Sequence, residues 1–358
     1  MAMYPYRVFI CYAHEDADLV CRIDQALTDL GLRPTYDKSI DPGTSFTEDI
    51  KRKITHAHLF VPVLTEHTQR ERPWVHQETG YAVALNVPVL PIAVEGSLPT
   101  GVISQLQAIT IPAEADVELI VERLRRGRIE QRVSSISKNF RDMVEIAEWI
   151  EDRTRMLGAY SRWVMEEERG ESTGLRQRGA LSSFCLPNAP PGDPIWARRD
   201  GELKRPPSLH PLQAEERKAL EAHARNGRCD LIVDPTIPYK GHGMAARKVR
   251  LEILRDALRS MQEDGINVRI VTSEMARGGN LTIVGDWFVA ESIVPRPDGY
   301  RQTIFKWHGP TVLEAIRQFD DQFEYLCKQA KLEGSGVLGP EPDKAMKLLD
   351  EIIATLPE

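Results

Sequence analysis

Residues 7–16 read RVFICYAHED, an apolar run from Arg7 to Tyr12 that gives way to His14, Glu15 and Asp16. A run of this length, rich in β-branched and aromatic side chains and bounded by polar ones, predicts a buried strand. The period then changes. Between Asp16 and Leu30 the residues Leu19, Val20, Ile23, Leu27 and Leu30 recur at the spacing of one helix face, and Gly31 follows as a helix stop. The same alternation continues downstream. Arg33–Tyr36 predicts a second strand and Asp37–Ser45 a loop with turn chemistry at Pro42-Gly43. A helix to about Thr55, the strand His58–Leu64, a helix from Pro73 to Leu85 and the strand Val87–Val94 come next, with Pro73 suited to a first helical turn. Leu106–Ile111 and Val117–Arg126 are expected to add a last strand and helix. Continuous apolar strands alternating with longer helices predict an α/β domain whose parallel sheet is covered on both faces.

The chain has 358 residues, enough for two or three domains at roughly 100–200 residues each. From Ile129 to Arg169 it is charged and helix-favouring, which predicts a helical connector. Residues 170–211 turn rich in Gly, Pro and Ser (GESTG, PNAPPGDP, KRPPSLHP) and lose their periodicity, the pattern of a linker. Beyond Leu212 the order changes. Leu231–Val233, Met244–Met261 and Val268–Val271 read as strand, helix and strand. Leu281–Val284, Trp287–Val294 and Arg301–Trp307 are separated only by short turns and so pair antiparallel. A helix at Thr311–Ala330 completes an α+β or mixed-sheet domain. The expected organisation is an α/β domain at 1–127, connector and linker at 128–211, a C-terminal α+β domain at 212–332 and a terminal helix at 333–358.

Composition narrows the function. With 46 Lys and Arg against 53 Asp and Glu, a formal net charge of −7 is too modest to imply whole-chain affinity for nucleic acid or anionic lipid. No apolar run approaches the roughly 18 residues of a membrane span. Five cysteines without a CxxC pair indicate neither a disulfide framework nor a zinc site, and the histidines show no ligand spacing. The opening residues reach charged positions too soon for a signal peptide, so a cytoplasmic protein is expected. No GxGxxG or GxxxxGK[ST] loop follows a strand, against a Rossmann dehydrogenase or a P-loop ATPase.

Taken in order, the signals of residues 6–94 resemble a bacterial TIR domain. The carrying residues are Phe9-Ile10-Cys11-Tyr12-Ala13-His14-Glu15-Asp16, close to the family's FISYSHxD, and the helix end Leu30-Gly31-Leu32. Tyr36-Asp37 at the close of the second strand, the turn Asp41-Pro42-Gly43, the strand Phe60–Leu64 and Trp74-Val75-His76-Gln77-Glu78, the family's WxxxE, complete the set. The resemblance covers about a third of the chain. It implies a flavodoxin-like fold and, in many members, cleavage of the nicotinamide–ribose bond of NAD, with NAD as substrate and no cofactor or metal.

The residues can be read for that chemistry directly. Trp74 and Glu78 stand four apart on a predicted helix and so share one face. Glycosidases use two carboxylates because a poor leaving group must be protonated. Nicotinamide leaves neutral from a pyridinium, so one carboxylate that holds the ribose and stabilises an oxocarbenium-like charge suffices. Glu78 is therefore the catalytic candidate and Trp74 a substrate-binding one, against the plainer reading of a core aromatic beside a solvated charge. By the same resemblance Tyr12, at the carboxyl end of the first strand, either packs on the substrate or serves the fold. Asp37 contacts the pocket or caps a turn, and Ser45 binds a phosphate or caps the next helix. Cys11 stands where the family has Ser and reads as packing, not as a nucleophile.

In the family the loop spanning Lys38–Ser45 packs against a neighbouring TIR domain, so self-association is expected; contacts of that kind propagate as filaments. Unrestrained NAD loss would kill the host cell. By analogy, the C-terminal domain is expected to gate an antiphage effector in response to a nucleotide or protein trigger. That domain faintly resembles a degenerate phospholipase D-like module but lacks the HxKxxxxD motif. Arg247, Lys248, Arg250, Arg255 and Arg259 fall on one helix, either facing a phosphate ligand or forming a solvated face. Two other functions fit the motif, a non-catalytic TIR scaffold and a bacterial mimic acting on host TIR signalling.

Overall fold

A computed structural model describes residues 6–36, 48–71, 73–85, 87–94, 96–134, 144–168, 174–179, 184–201, 205–225, 227–233, 243–273, 279–295, 301–330, 337–338 and 341–357. The chain divides into two units: Met1–Met143 together with Trp307–Glu314, and Val144–Lys306 together with Ala315–Glu358.

In the first unit the run Arg7–Cys11 is strand β1, buried along its whole length. Helix α1 (Ala17–Asp29) turns Leu19, Val20, Ile23, Ala26 and Leu27 inward. It ends as the sequence predicts: Leu32 N–H donates to Leu27 C=O, Gly31 N–H to Thr28 C=O, and Gly31 takes φ 71°. There follow β2 (Arg33–Thr35), α2 (Glu48–His56), β3 (Leu59–Leu64), α3 (Glu66–Glu71), α4 (Pro73–Ala84), β4 (Ile92–Val94), β5 (Ile109–Ile111), α5 (Val117–Leu124) and α6 (Arg126–Ser134). All five strands are parallel, in the order β2-β1-β3-β4-β5, the flavodoxin-like arrangement.

Three expected elements are markedly shorter than their sequences imply, among them the strand expected over Leu106–Ile111, which is Ile109–Ile111. Only Ile92–Val94 of the run 87–94 is strand, apart from an isolated bridge between Val89 and Phe60. Pro88 and Pro91 have no N–H to give a ladder, and their carbonyls instead accept from Phe60 and Ile109. The helix expected over 117–126 stops at Leu124 because Arg125 adopts φ 48°, and α6 starts afresh at Arg126. Arg126 then ties that start to the end of α1, donating to the carbonyls of Leu30 and Gly31.

Trp307–Glu314 belongs to the first unit although it lies far along the chain. The Trp307 ring meets His56 edge-on at 6.3 Å, and Gly309 lies so close to Ala57 and His58 that a Cβ there would stand 2.9 Å from the Ala57 carbonyl oxygen.

The second unit comprises β6 (Val144–Ala147), α7 (Ile150–Glu167), β7 (Leu175–Gly179), α8 (Pro194–Asp200), α9 (Leu209–Arg225), β8 (Cys229–Val233), α10 (Met244–Glu263), β9 (Val268–Ser273), β10 (Leu281–Val284), β11 (Phe288–Pro295), β12 (Arg301–Lys306), the part of α11 (Gly309–Gln329) from Ala315 onward, β13 (Val337–Leu338) and α12 (Pro342–Ala354). Its sheet runs β13-β9-β8-β7-β10-β11-β12-β6, parallel across β7, β8 and β9 and antiparallel elsewhere. The expected mixed sheet is present, but its extent differs from the expected division of the chain. Residues 128–211, read as connector and linker, supply two of its strands, with β7 near its centre, and the boundary placed at 211/212 falls inside α9. Helices α7 and α9 lock together through the pair Arg153–Glu216 at 2.6 Å and the contact of His223 Nε2 with the Ser161 carbonyl at 2.8 Å. Among the described residues no helix is long and apolar enough to cross a membrane.

Candidate active site

The order of the first sheet reverses between β1 and β3, and the crevice beyond the carboxyl ends of these strands is where open α/β sheets take ligands. At that place a recess of about 20 Å³ is lined by Phe9, Ile10, Cys11, Tyr12, His14, Trp74 and Glu78. The wall opposite β1 is α4. This helix turns Val75, Glu78, Thr79 and Ala82 inward, so Glu78 occupies a position of the buried face where a carboxylate is unusual; it is 2 % exposed. Trp74, one turn earlier, is half-buried and packs on the core formed by Phe9, Cys11, Phe60 and Val75.

Cys11 faces Glu78 from β1 and shares a hydrogen bond with its carboxylate. Burial, then the Glu78 charge, then that hydrogen bond push the thiol well above its ordinary range. A thiol so held is no nucleophile, but it is a donor to Glu78, a role that reading it as packing had not anticipated. Tyr12 leaves the end of β1 with its ring edge-on to Tyr36 at 5.7 Å and 83°. Three of the expected site residues, Glu78, Trp74 and Tyr12, thus meet at one recess. Asp37, Ser45 and the loop Lys38–Ser45 lie outside the described residues.

Beside the recess is a polar group that sequence reasoning missed. Asp16, in the same short turn as His14, accepts from Thr65 Oγ1 at 2.7 Å, and His67 stands 4.0 Å away. Burial raises the Asp16 carboxyl above its usual range, against the opposing effects of the Thr65 hydrogen bond and His67. Thr65 and Thr68 also bond reciprocally at the start of α3, Thr65 N–H to Thr68 Oγ1 at 2.8 Å and Thr68 N–H to Thr65 Oγ1 at 3.3 Å. The T-x-x-T spacing was the available signal, since it resembles a capping box.

The recess is not the largest hollow of this unit. A cavity of about 390 Å³ lies between Val89, Leu90, Leu106, Gln107, Arg128, Gln131 and Arg132. It sits before the amino ends of β4 and β5, away from the switch point, and no carboxylate is among those residues, so the smaller recess is the better candidate for glycosidic chemistry. Its 20 Å³ is room for about one water molecule, so what the described walls enclose is smaller than a nicotinamide ring. Among the described residues no group of three or more His, Cys, Asp and Glu side chains is placed to hold a metal.

Residues 8–125 match the family model described as TIR domain. A search of the curated proteins finds no match.

Proposed function

We propose, from the premise that residues 8–125 are a TIR domain, that this chain cleaves the nicotinamide–ribose bond of NAD with Glu78 as its catalytic carboxylate. One observation carries the reading: the buried carboxylate of Glu78 lines the recess at the β1/β3 switch point, a helical turn from Trp74 and together with Tyr12. The bonding electron pair departs with nicotinamide, which leaves neutral, and positive charge spreads over the anomeric carbon and ring oxygen of the ribose. A desolvated carboxylate held beside that position stabilises the developing cation far better than one in water. A nucleophile, water in the hydrolytic case, then closes the anomeric carbon and releases a proton. Trp74 offers a flat face to the pyridinium.

The narrowness of the recess supports a gated enzyme, because substrate entry requires Trp74 or its neighbours to yield. We assign that opening to self-association of TIR domains, under control of the second unit, in a chain that depletes NAD when triggered, as an antiphage effector would. The same narrowness favours a second reading, a TIR scaffold that never admits substrate. Incubating the full chain with NAD, alone and at rising protein concentration, and measuring nicotinamide by chromatography separates the two. Release that grows faster than protein concentration and vanishes in Glu78→Ala is expected. Self-association without nicotinamide release at any concentration would favour the scaffold.

A further inference from the structure

We infer that Cys11 is a positioning residue for Glu78: its thiol donates to the buried carboxylate and fixes the orientation from which that group meets the ribose. This role rests on the proposed cleavage of NAD by Glu78.

The two residues reach each other from elements with little freedom to move. Cys11 is the last residue of β1 and pairs with Pro62 of β3 in the parallel ladder. Phe9, two residues earlier and so on the same face of the strand, stacks on Phe60 at 5.9 Å. From the other side α4 sets Val75 and Ala82 into the core that holds Phe9 and Cys11, and Glu78 lies between these two on the buried face of the helix. Cys11 and Glu78 are each 2 % exposed, and both line the recess. Thr79, the neighbouring hydroxyl of α4, is turned back on its own helix, where its Oγ1 donates to the Val75 carbonyl at 2.6 Å.

A packing role would ask nothing of the direction of the thiol. A buried cysteine serves a core as a small hydrophobe and needs no partner. Here the sulfur shares a hydrogen bond with a charged carboxylate; burial first, then the Glu78 charge and that bond, keep the proton on the sulfur. The thiol is therefore the donor and the carboxylate the acceptor. A glutamate has several rotatable side-chain bonds, and a carboxylate free to turn loses much of its effect on a reacting centre that it must meet in one geometry. A thiol suits the task because it is a weak donor. It orients the carboxylate yet draws off little of the charge that the oxocarbenium-like ribose needs. A hydrogen bond to a charged group is strong enough that its loss should be read as about tenfold in rate.

Two substitutions of similar shape separate orientation from packing. Cys11→Ser keeps a donor, whereas Cys11→Val fills the space and donates nothing. Nicotinamide release by the full chain is followed over a range of NAD concentrations, with a melt of each preparation so that rates are compared per folded molecule. Turnover within about threefold of the parent is expected for Cys11→Ser and about tenfold slower for Cys11→Val, with KM nearly unchanged in both. A packing role gives the opposite order, Cys11→Val at the parent's rate and Cys11→Ser slower, and that order overturns the inference. A second readout needs no turnover. The infrared S–H stretch of Cys11, assigned as the band missing from Cys11→Ser, should move to higher frequency in Glu78→Gln, because a neutral amide is a weaker acceptor than a carboxylate; an unmoved band also overturns the inference. A parent that shows the band shift but releases no nicotinamide would overturn the NAD reading, and the positioning role with it, while leaving the contact in place. An active parent with an equally active Cys11→Val would remove the role of Cys11 alone.

Discussion

Replacing Glu78 by Gln removes a charge and leaves the shape. The amide oxygen can still accept from the Cys11 thiol, and the side chain still fills its place on the buried face of α4. What disappears is the field of a carboxylate that is 2 % exposed. Deleting one oriented electrostatic group from a water-poor active site costs about 10²–10³ in turnover, roughly 2.7–4 kcal/mol. Glu78 should fall at the upper end, because little solvent screens it. Stability should move the other way. An ionised carboxylate in an apolar wall carries a desolvation cost that the neutral amide largely escapes, so Glu78→Gln should unfold at the parent's temperature or above. The assay pairs the initial rate of nicotinamide release at saturating NAD with a thermal melt of the same preparation. A fall in rate of less than tenfold with the fold intact would refute the catalytic assignment, and a variant that melts well below the parent would show that Glu78 serves the fold.

Three other outcomes follow from local geometry. Gly80 lies inside α4, and a Cβ there would meet nothing within 4 Å, so Gly80→Ala should stabilise the first unit by about 0.5–1 kcal/mol, read as a shifted denaturant midpoint. Gly309→Ala should do the opposite, since its Cβ would stand 2.7 Å from His58 Cδ2 and 2.9 Å from a backbone oxygen; overpacking of this kind costs about 1–3 kcal/mol, and an unchanged melt would contradict it. At Asp16 the sign is set by a folded-state pKa above the unfolded one. The native state is penalised once the carboxyl ionises, so this contribution is most favourable below the unfolded pKa of about 3.9 and declines as pH rises through the folded value. Asp16→Asn should therefore gain stability over the parent at pH 7 and lose that advantage near pH 4. A constant difference between the two melts across that range would exclude the linkage.

Much of the first unit was legible because its central strands β1 and β3 are buried on both faces and write themselves as apolar runs. Trp74 and Glu78 were legible for a similar reason, since four residues of helix suffice to place them together. Spacing does not reveal partners that meet only in the fold. Tyr36 against Tyr12, Thr65 against Asp16 and the Cys11 thiol against Glu78 each join different elements. The prolines at 88 and 91 mark the break in an otherwise strand-like run, whose apolar content masks it. Strand β7 was illegible for the opposite reason. Leu175-Arg176-Gln177-Arg178-Gly179 looks like surface, yet Gln177 donates to Thr282 Oγ1 and Arg176 is clamped by Asp320, partners more than a hundred residues away. A polar strand can lie near the centre of a sheet when its hydrogen-bonding partners arrive from distant chain.

The chain passes between its two units at 143/144, 306/307 and 314/315. A TIR domain cut out at residue 127 or 143, the natural choice from an alignment, would be short of the strip Trp307–Glu314 that completes it. Such a fragment would present the Ala57-His58 bend to water and lose the aromatic contact of His56 with Trp307. Its behaviour would describe a different molecule. An excised domain faithful to the parent would carry residues 307–314 back in on a tether, and the same condition applies to any evolutionary exchange of the first unit for another.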